Sequence, residues 1–164
     1  MRRVVVTFAQ ARSIATWGRQ AKLTPLRFEN GARTAVRQGR RWAVQRVMQN
    51  GQEMLYILTF YLPRFLNQSY TEKLITIFHE LYHISPAFDG DIRRFSGSCY
   101  MHSNSQHEYD QLMARYVRQY LRMKPSVELR RFLRDDFSRL CRKNGSVVGL
   151  RVPIPRLIPV EEAA

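Results

Sequence analysis

The chain has 164 residues, a length that suits one domain around one core. A hydrophobic fraction of 45% with 12% aromatics excludes a globally disordered chain, and no run of 18 apolar residues is present to span a membrane. The 27 Lys and Arg against 13 Asp and Glu give a net charge of +14, which favours polyanionic partners, and 23 of those 27 are Arg. The plainer reading of the same charge is a solvated surface. Cys99 and Cys141 make no CxxC pair, so a zinc ribbon is excluded and two separate thiols in a reducing cytoplasm are expected. The apolar run after Arg2-Arg3 stops at Gln10, too short for a signal-peptide core.

In chain order, residues 1–24 read as an N-terminal extension with a weak helical pattern of Ala9, Ala11, Ile14, Ala15 and Trp17, broken by Pro25. From Leu26 to Phe60 the pattern shortens to extended runs: Leu26–Glu29, Ala32–Arg37, Trp42–Met48 and Met54–Phe60. Asn30-Gly31, Gly39 and Asn50-Gly51 punctuate them, and Asn50-Gly51 suggests an antiparallel hairpin between the last two runs. Leu62-Pro63 ends the sheet region.

Ser69 with Glu72 three residues on forms a capping box, opening a helix from about Tyr70 to Ile84. Leu74, Ile77, Phe78 and Leu81 give it a core-facing stripe, and Ser85-Pro86 stops it. Residues 86–104 look irregular. Ser105 and Glu108 make a second capping box, before a helix whose stripe is Tyr109, Leu112, Met113, Tyr116, Val117 and Tyr120. Pro125 ends it. Ser126 is expected to cap a third helix to about Lys143, stopped by Asn144-Gly145. In the tail, residues 146–164, Val147–Val152 has strand character, and Pro153, Pro155 and Pro159 keep the rest extended.

The segment that carries chemistry is His79-Glu80-Leu81-Tyr82-His83, an H-E-x-x-H motif. Two His four apart on a helix share one face, so their imidazoles can converge on one Zn²⁺. Glu80, beside the first ligand, is the candidate general base for a metal-bound water. With this composition a shuffled chain contains the motif about 0.005 times, so chance is a weak explanation. The bland alternative is an amphipathic helix bearing two ordinary His and a solvated Glu.

A catalytic zinc needs a third protein ligand and an open position. All four His lie between residues 79 and 107. His102, in the loop before the Tyr109 helix, is the favoured third donor. His107, Asp89, Asp91 and Asp110 are alternatives, as ligands or as groups that orient a ligand. Asp89-Gly90-Asp91 also reads as a turn. Tyr82, Tyr100 and Tyr109 are candidate oxyanion donors and Arg93 a candidate substrate contact, against the simpler roles of core packing and a solvated cation.

The runs Tyr56–Phe60, Leu62-Pro63-Arg64-Phe65-Leu66 and His79–Phe95, followed by Tyr100-Met101-His102 and Tyr109-Asp110, resemble the phage metallopeptidase domain family. The likeness covers roughly residues 26–120. It implies a zincin-like fold, zinc as cofactor, a peptidase activity of phage or prophage origin, and His102 as the third ligand. The layout also looks like SprT-like proteases, although the C-terminal zinc ribbon many of them carry is missing.

The expectation is therefore an α+β, zincin-like domain over residues 25–145, with a small, mainly antiparallel sheet, the H-E-x-x-H helix and two further helices. Its expected activity is zinc-dependent hydrolysis of a protein or peptide substrate. Two other readings stand beside it. One is a basic, nucleic-acid-associated zinc protein, including a protease acting on DNA-bound proteins. The other is a non-catalytic module whose metal site is closed by a fourth protein ligand.

Overall fold

The structure is a computed structural model that describes residues 2–12, 17–94, 106–150 and 152–161, with only the backbone of residues 106 and 107. It is an α+β fold. The central sheet has β1 (Val4–Gln10), β7 (Tyr56–Leu62) and β2 (Ala21–Pro25), in the order β1-β7-β2. β7 lies between the other two and pairs parallel with β1 (Val4 opposite Tyr56) and antiparallel with β2 (Leu23 opposite Leu58). That position explains its continuous apolar run, since a central strand is covered on both faces. Tyr56, Leu58, Phe60 and Leu62 enter the larger core with Phe65, Leu66, Leu74 and Val117. Ile57 turns the other way, against Val5, Leu26 and Met54.

The N-terminal segment therefore departs from the helical expectation. Residues 4–10 form a strand beside β7, because Val4, Val5, Val6 and Phe8 suit a pleated surface better than a helix. The sheet is also mixed where a mainly antiparallel one was expected.

Two smaller antiparallel ladders complete the β structure: β3 (Thr34–Arg37), β4 (Arg40–Val44) and β8 (Leu157–Pro159) in the order β3-β4-β8, and the short pair β5 (Met48–Gln49) and β6 (Gln52–Glu53). Asn50 and Gly51 have positive φ of 51° and 74°, the geometry of a tight hairpin turn. That turn joins only β5 to β6, so the Trp42–Met48 run splits in two and Met54–Phe60 pairs elsewhere. Leu26–Glu29 is not a strand; it leads into a 3-10 turn at Glu29–Gly31. In the tail, residues 147–150 and 152 form no strand, and the pairing comes later, at Leu157–Pro159 on β4.

Helix α1 spans Tyr70–Tyr82, with both halves of its capping box made: Ser69 N–H donates to Glu72 Oε2 at 2.8 Å, and Glu72 N–H to Ser69 Oγ at 3.3 Å. Helix α2 spans Gln106–Arg122 and packs its Tyr109–Met113–Val117 stripe inward. The expected third helix divides into a 3-10 stretch, Glu128–Arg134, and α3, Phe137–Asn144. The break has two causes, one local and one tertiary. Asp136 is extended and caps α3 by accepting the N–H of Arg139 at 2.7 Å. The buried Lys73 ammonium of α1 donates to the carbonyls of Leu133 and Asp135, at 2.9 and 2.8 Å, holding the turn open. No described helix is long and apolar enough to cross a membrane.

Glu53 ties the two sheets together. Its carboxylate meets Arg27 at 2.8 Å, Arg46 at 2.9 Å and Arg33 at 3.6 Å, and the Arg27 side chain is only 7% exposed. The Arg27 guanidinium, with Arg46, holds the Glu53 carboxyl below the usual carboxylate range. Glu53→Gln strands the buried Arg27 charge and should cost about 3 kcal/mol in denaturant unfolding at pH 7. A lowered carboxyl pKa contributes stability above its unfolded value, and that contribution is lost as pH falls through the folded value. The gap between wild type and Glu53→Gln should therefore narrow below about pH 4. A gap that stays constant down to pH 2.5 would count against the ion pair as its source.

Candidate functional site

Helix α1 runs beside β2, and the groove between them is a cleft of about 850 Å³. Gly18, Arg19, Lys22 and Leu23 line one wall, and Thr76, His79, Glu80 and His83 the other. β1 and the chain that packs on it lie at the opposite edge of the sheet, so the tail is not among the lining residues.

His79 and His83 face the same side. Their ring centroids are 4.8 Å apart and their planes meet at 77°. Two imidazoles on one tetrahedral Zn²⁺, each nitrogen about 2.1 Å from it, place their ring centres roughly 5 Å apart. The observed pair fits that requirement. His83 is 6% exposed and caps the C-terminus of α1, and its carbonyl accepts the N–H of Arg93 at 2.7 Å.

Glu80 is 8% exposed, and its Oε2 accepts the backbone N–H of Leu23 at 2.7 Å. Burial pushes its carboxyl up from the usual range, opposed by the Leu23 hydrogen bond and by the charges of Arg19 and Lys22. A carboxyl moved toward neutrality is better matched to proton transfer in both directions. The Leu23 N–H is available because it points away from β7, at the free edge of β2.

Tyr109 forms the floor under the His pair. It is 1% exposed, with its ring 4.7 Å from His79 and stacked at 6.1 Å on His83. Its hydroxyl donates to the His79 carbonyl at 3.4 Å, and burial raises its pKa further above that of a free tyrosine. Tyr82 packs against Tyr109 and Tyr116, and the Arg93 guanidinium lies 4.2 Å from its ring centre. Arg93 Nε also donates to the Tyr82 carbonyl at 2.8 Å, which fixes the loop after α1.

Comparison with family models, with curated proteins and with solved structures found no match.

The acidic candidates separate. Asp91 is 5% exposed and fully engaged: it accepts from the N–H groups of Asn30 and Ile92 and from Nε and Nη2 of Arg94, at 3.1 and 3.0 Å. Asp89 accepts the Asp91 N–H at 3.1 Å, the turn that the Asp-Gly-Asp spacing suggests. Neither lines the cleft, whereas Asp110, in the first turns of α2, does. His107 lies in the first turn of α2. His102 and Tyr100 lie outside the described residues. Among the described residues, no group of three or more His, Cys, Asp or Glu is placed to hold one ion.

Sequence reasoning missed two features. One is the backbone N–H of Leu23, which carries no side-chain signal. The other is the role of Tyr109: the sequence offers it as an oxyanion donor or a core residue, whereas its ring packs on both His and its hydroxyl meets the His79 carbonyl.

Proposed function

We propose that the chain is a zinc-dependent hydrolase acting on peptide bonds. The observation that carries this is the pair of imidazoles 4.8 Å apart beside a buried carboxylate anchored to a strand edge. His79 and His83 supply two nitrogens, and His102 is the proposed third donor, with Asp110 its nearest rival as a cleft residue. A zinc ion held by these groups would supply a more acidic water and a polarised carbonyl.

The residues of the chain divide the remaining work. Glu80 takes the proton of the attacking water and returns it to the leaving amine. The Leu23 N–H fixes Oε2, so one oxygen is committed to position and the other to proton transfer. Tyr109 limits the tilt of both imidazoles by packing on their rings. A peptide is favoured as substrate because one wall of the cleft is a free strand edge, which an extended backbone can extend by main-chain hydrogen bonds. The test is cleavage of an unstructured protein such as casein by zinc-loaded protein. Absence of cleavage, with zinc bound at one equivalent, removes the peptidase reading.

A further inference from the structure

We propose that the inner face of the β3–β4 hairpin binds single-stranded nucleic acid, independently of the cleft and its metal. The argument begins with charge placement. Between Gly31 and Gln52 there are five arginines (Arg33, Arg37, Arg40, Arg41 and Arg46) and no Asp or Glu. Some basic residues elsewhere are paired with acids, as Arg139 and Lys143 are with Asp135, at 2.9 and 2.6 Å, although residues 1–28 and 111–127 also carry basic residues and no acid.

The ladder then sorts these arginines. Arg37 stands opposite Arg40 and Ala35 opposite Trp42, so Arg37, Arg40 and Trp42 share one face. Val44 lies on the same face and packs on Val5, Leu26, Met54 and Ile57, so this face turns toward the body of the protein. Arg33 and Arg46 meet Glu53 at its base, where that single carboxylate is shared with Arg27 and Arg3. Four guanidinium groups around one carboxylate leave a large positive excess.

Aromatic rings complete the face. Arg37 lies 5.5 Å from the ring centre of Phe28, and Arg40 lies 5.7 Å from that of Trp42. Both rings are half-buried while Arg37 and Arg40 are exposed. Stacked guanidinium groups are held in place before any ligand arrives. Cations that follow a phosphate backbone, set beside rings on which bases stack, are the combination a single strand needs. A duplex keeps its bases stacked inside and cannot use the rings.

The test is fluorescence anisotropy of a labelled single-stranded 20-mer against the full chain over a salt series. Arg37→Ser with Arg40→Ser should weaken binding at least tenfold and reduce the log–log salt slope by about 1.4, two phosphate contacts' worth. Trp42→Leu should weaken it about tenfold. Arg131→Ser with Arg142→Ser removes the same charge from the exposed helical side and should change affinity less than twofold. Melting curves establish that each variant is folded. Equal loss in both double variants would reduce the effect to net charge and overturn the assignment. So would no binding at low salt, or equal competition by a duplex of the same sequence.

Discussion

Glu80→Gln should retain one equivalent of zinc and lose casein hydrolysis by about 10²–10⁴-fold. The substitution keeps the shape of the side chain and an oxygen that can accept the Leu23 N–H, so the helix and β2 stay in register. It removes only the capacity to take a proton from water. Stability separates this outcome from damage to the fold. Burial disfavours the Glu80 carboxylate, so its pKa is raised, and a group with a raised folded pKa favours the protonated protein. Its stabilising effect is present below the unfolded pKa and lost as pH rises through the folded value. At pH 7 a neutral amide should therefore leave the melting temperature of the metal-free protein unchanged or higher. Hydrolysis retained within a factor of five would eliminate Glu80 as the base. A melting temperature lower by several degrees would mean that the carboxylate is chiefly structural.

How much of this was legible in the sequence depended on the range of the interaction. Ser69 and Glu72 announce the start of α1 because a capping box is closed within three residues. The strand at Tyr56–Leu62 and the turn at Asn50-Gly51 were visible for the same reason, a local pattern with a local cause. What the sequence hid was tertiary. Val4–Gln10 carries a local strand signal in Val4, Val5, Val6 and Phe8, but its parallel pairing with β7, about fifty residues away in the chain, is not readable from that pattern. The Ser126–Lys143 run breaks because Lys73, from another helix, takes the carbonyls of Leu133 and Asp135. The site shows the same division. The positions of His79, Glu80 and His83 on one helix follow from spacing alone. Which acid shares their cleft does not: Asp91 is drawn off by Arg94 and Asn30, while Asp110 lines the cleft because α2 packs across α1.

A His79→Ala, His83→Ala double variant should bind less than a tenth of an equivalent of zinc where the wild type binds about one. α1 and its C-cap fix the relative geometry of these two imidazoles, and losing both leaves a third donor without them. Heat provides a second readout that does not depend on activity. A metal that binds only the folded state at a hundred times its dissociation constant adds about 2.7 kcal/mol. For a chain of this size that raises the melting temperature by roughly 5–11 °C. Zinc should produce this rise in the wild type and none in the double variant. Single substitutions then choose the third donor: His102→Ala should abolish the rise if that residue ligates, and Asp110→Asn should leave it intact. The opposite pattern would move the ligand onto α2. Full zinc uptake by the double variant would place the metal elsewhere, and the hydrolase proposal would fall with it, while the basic hairpin face, which uses none of these residues, would stand or fall on its own binding data.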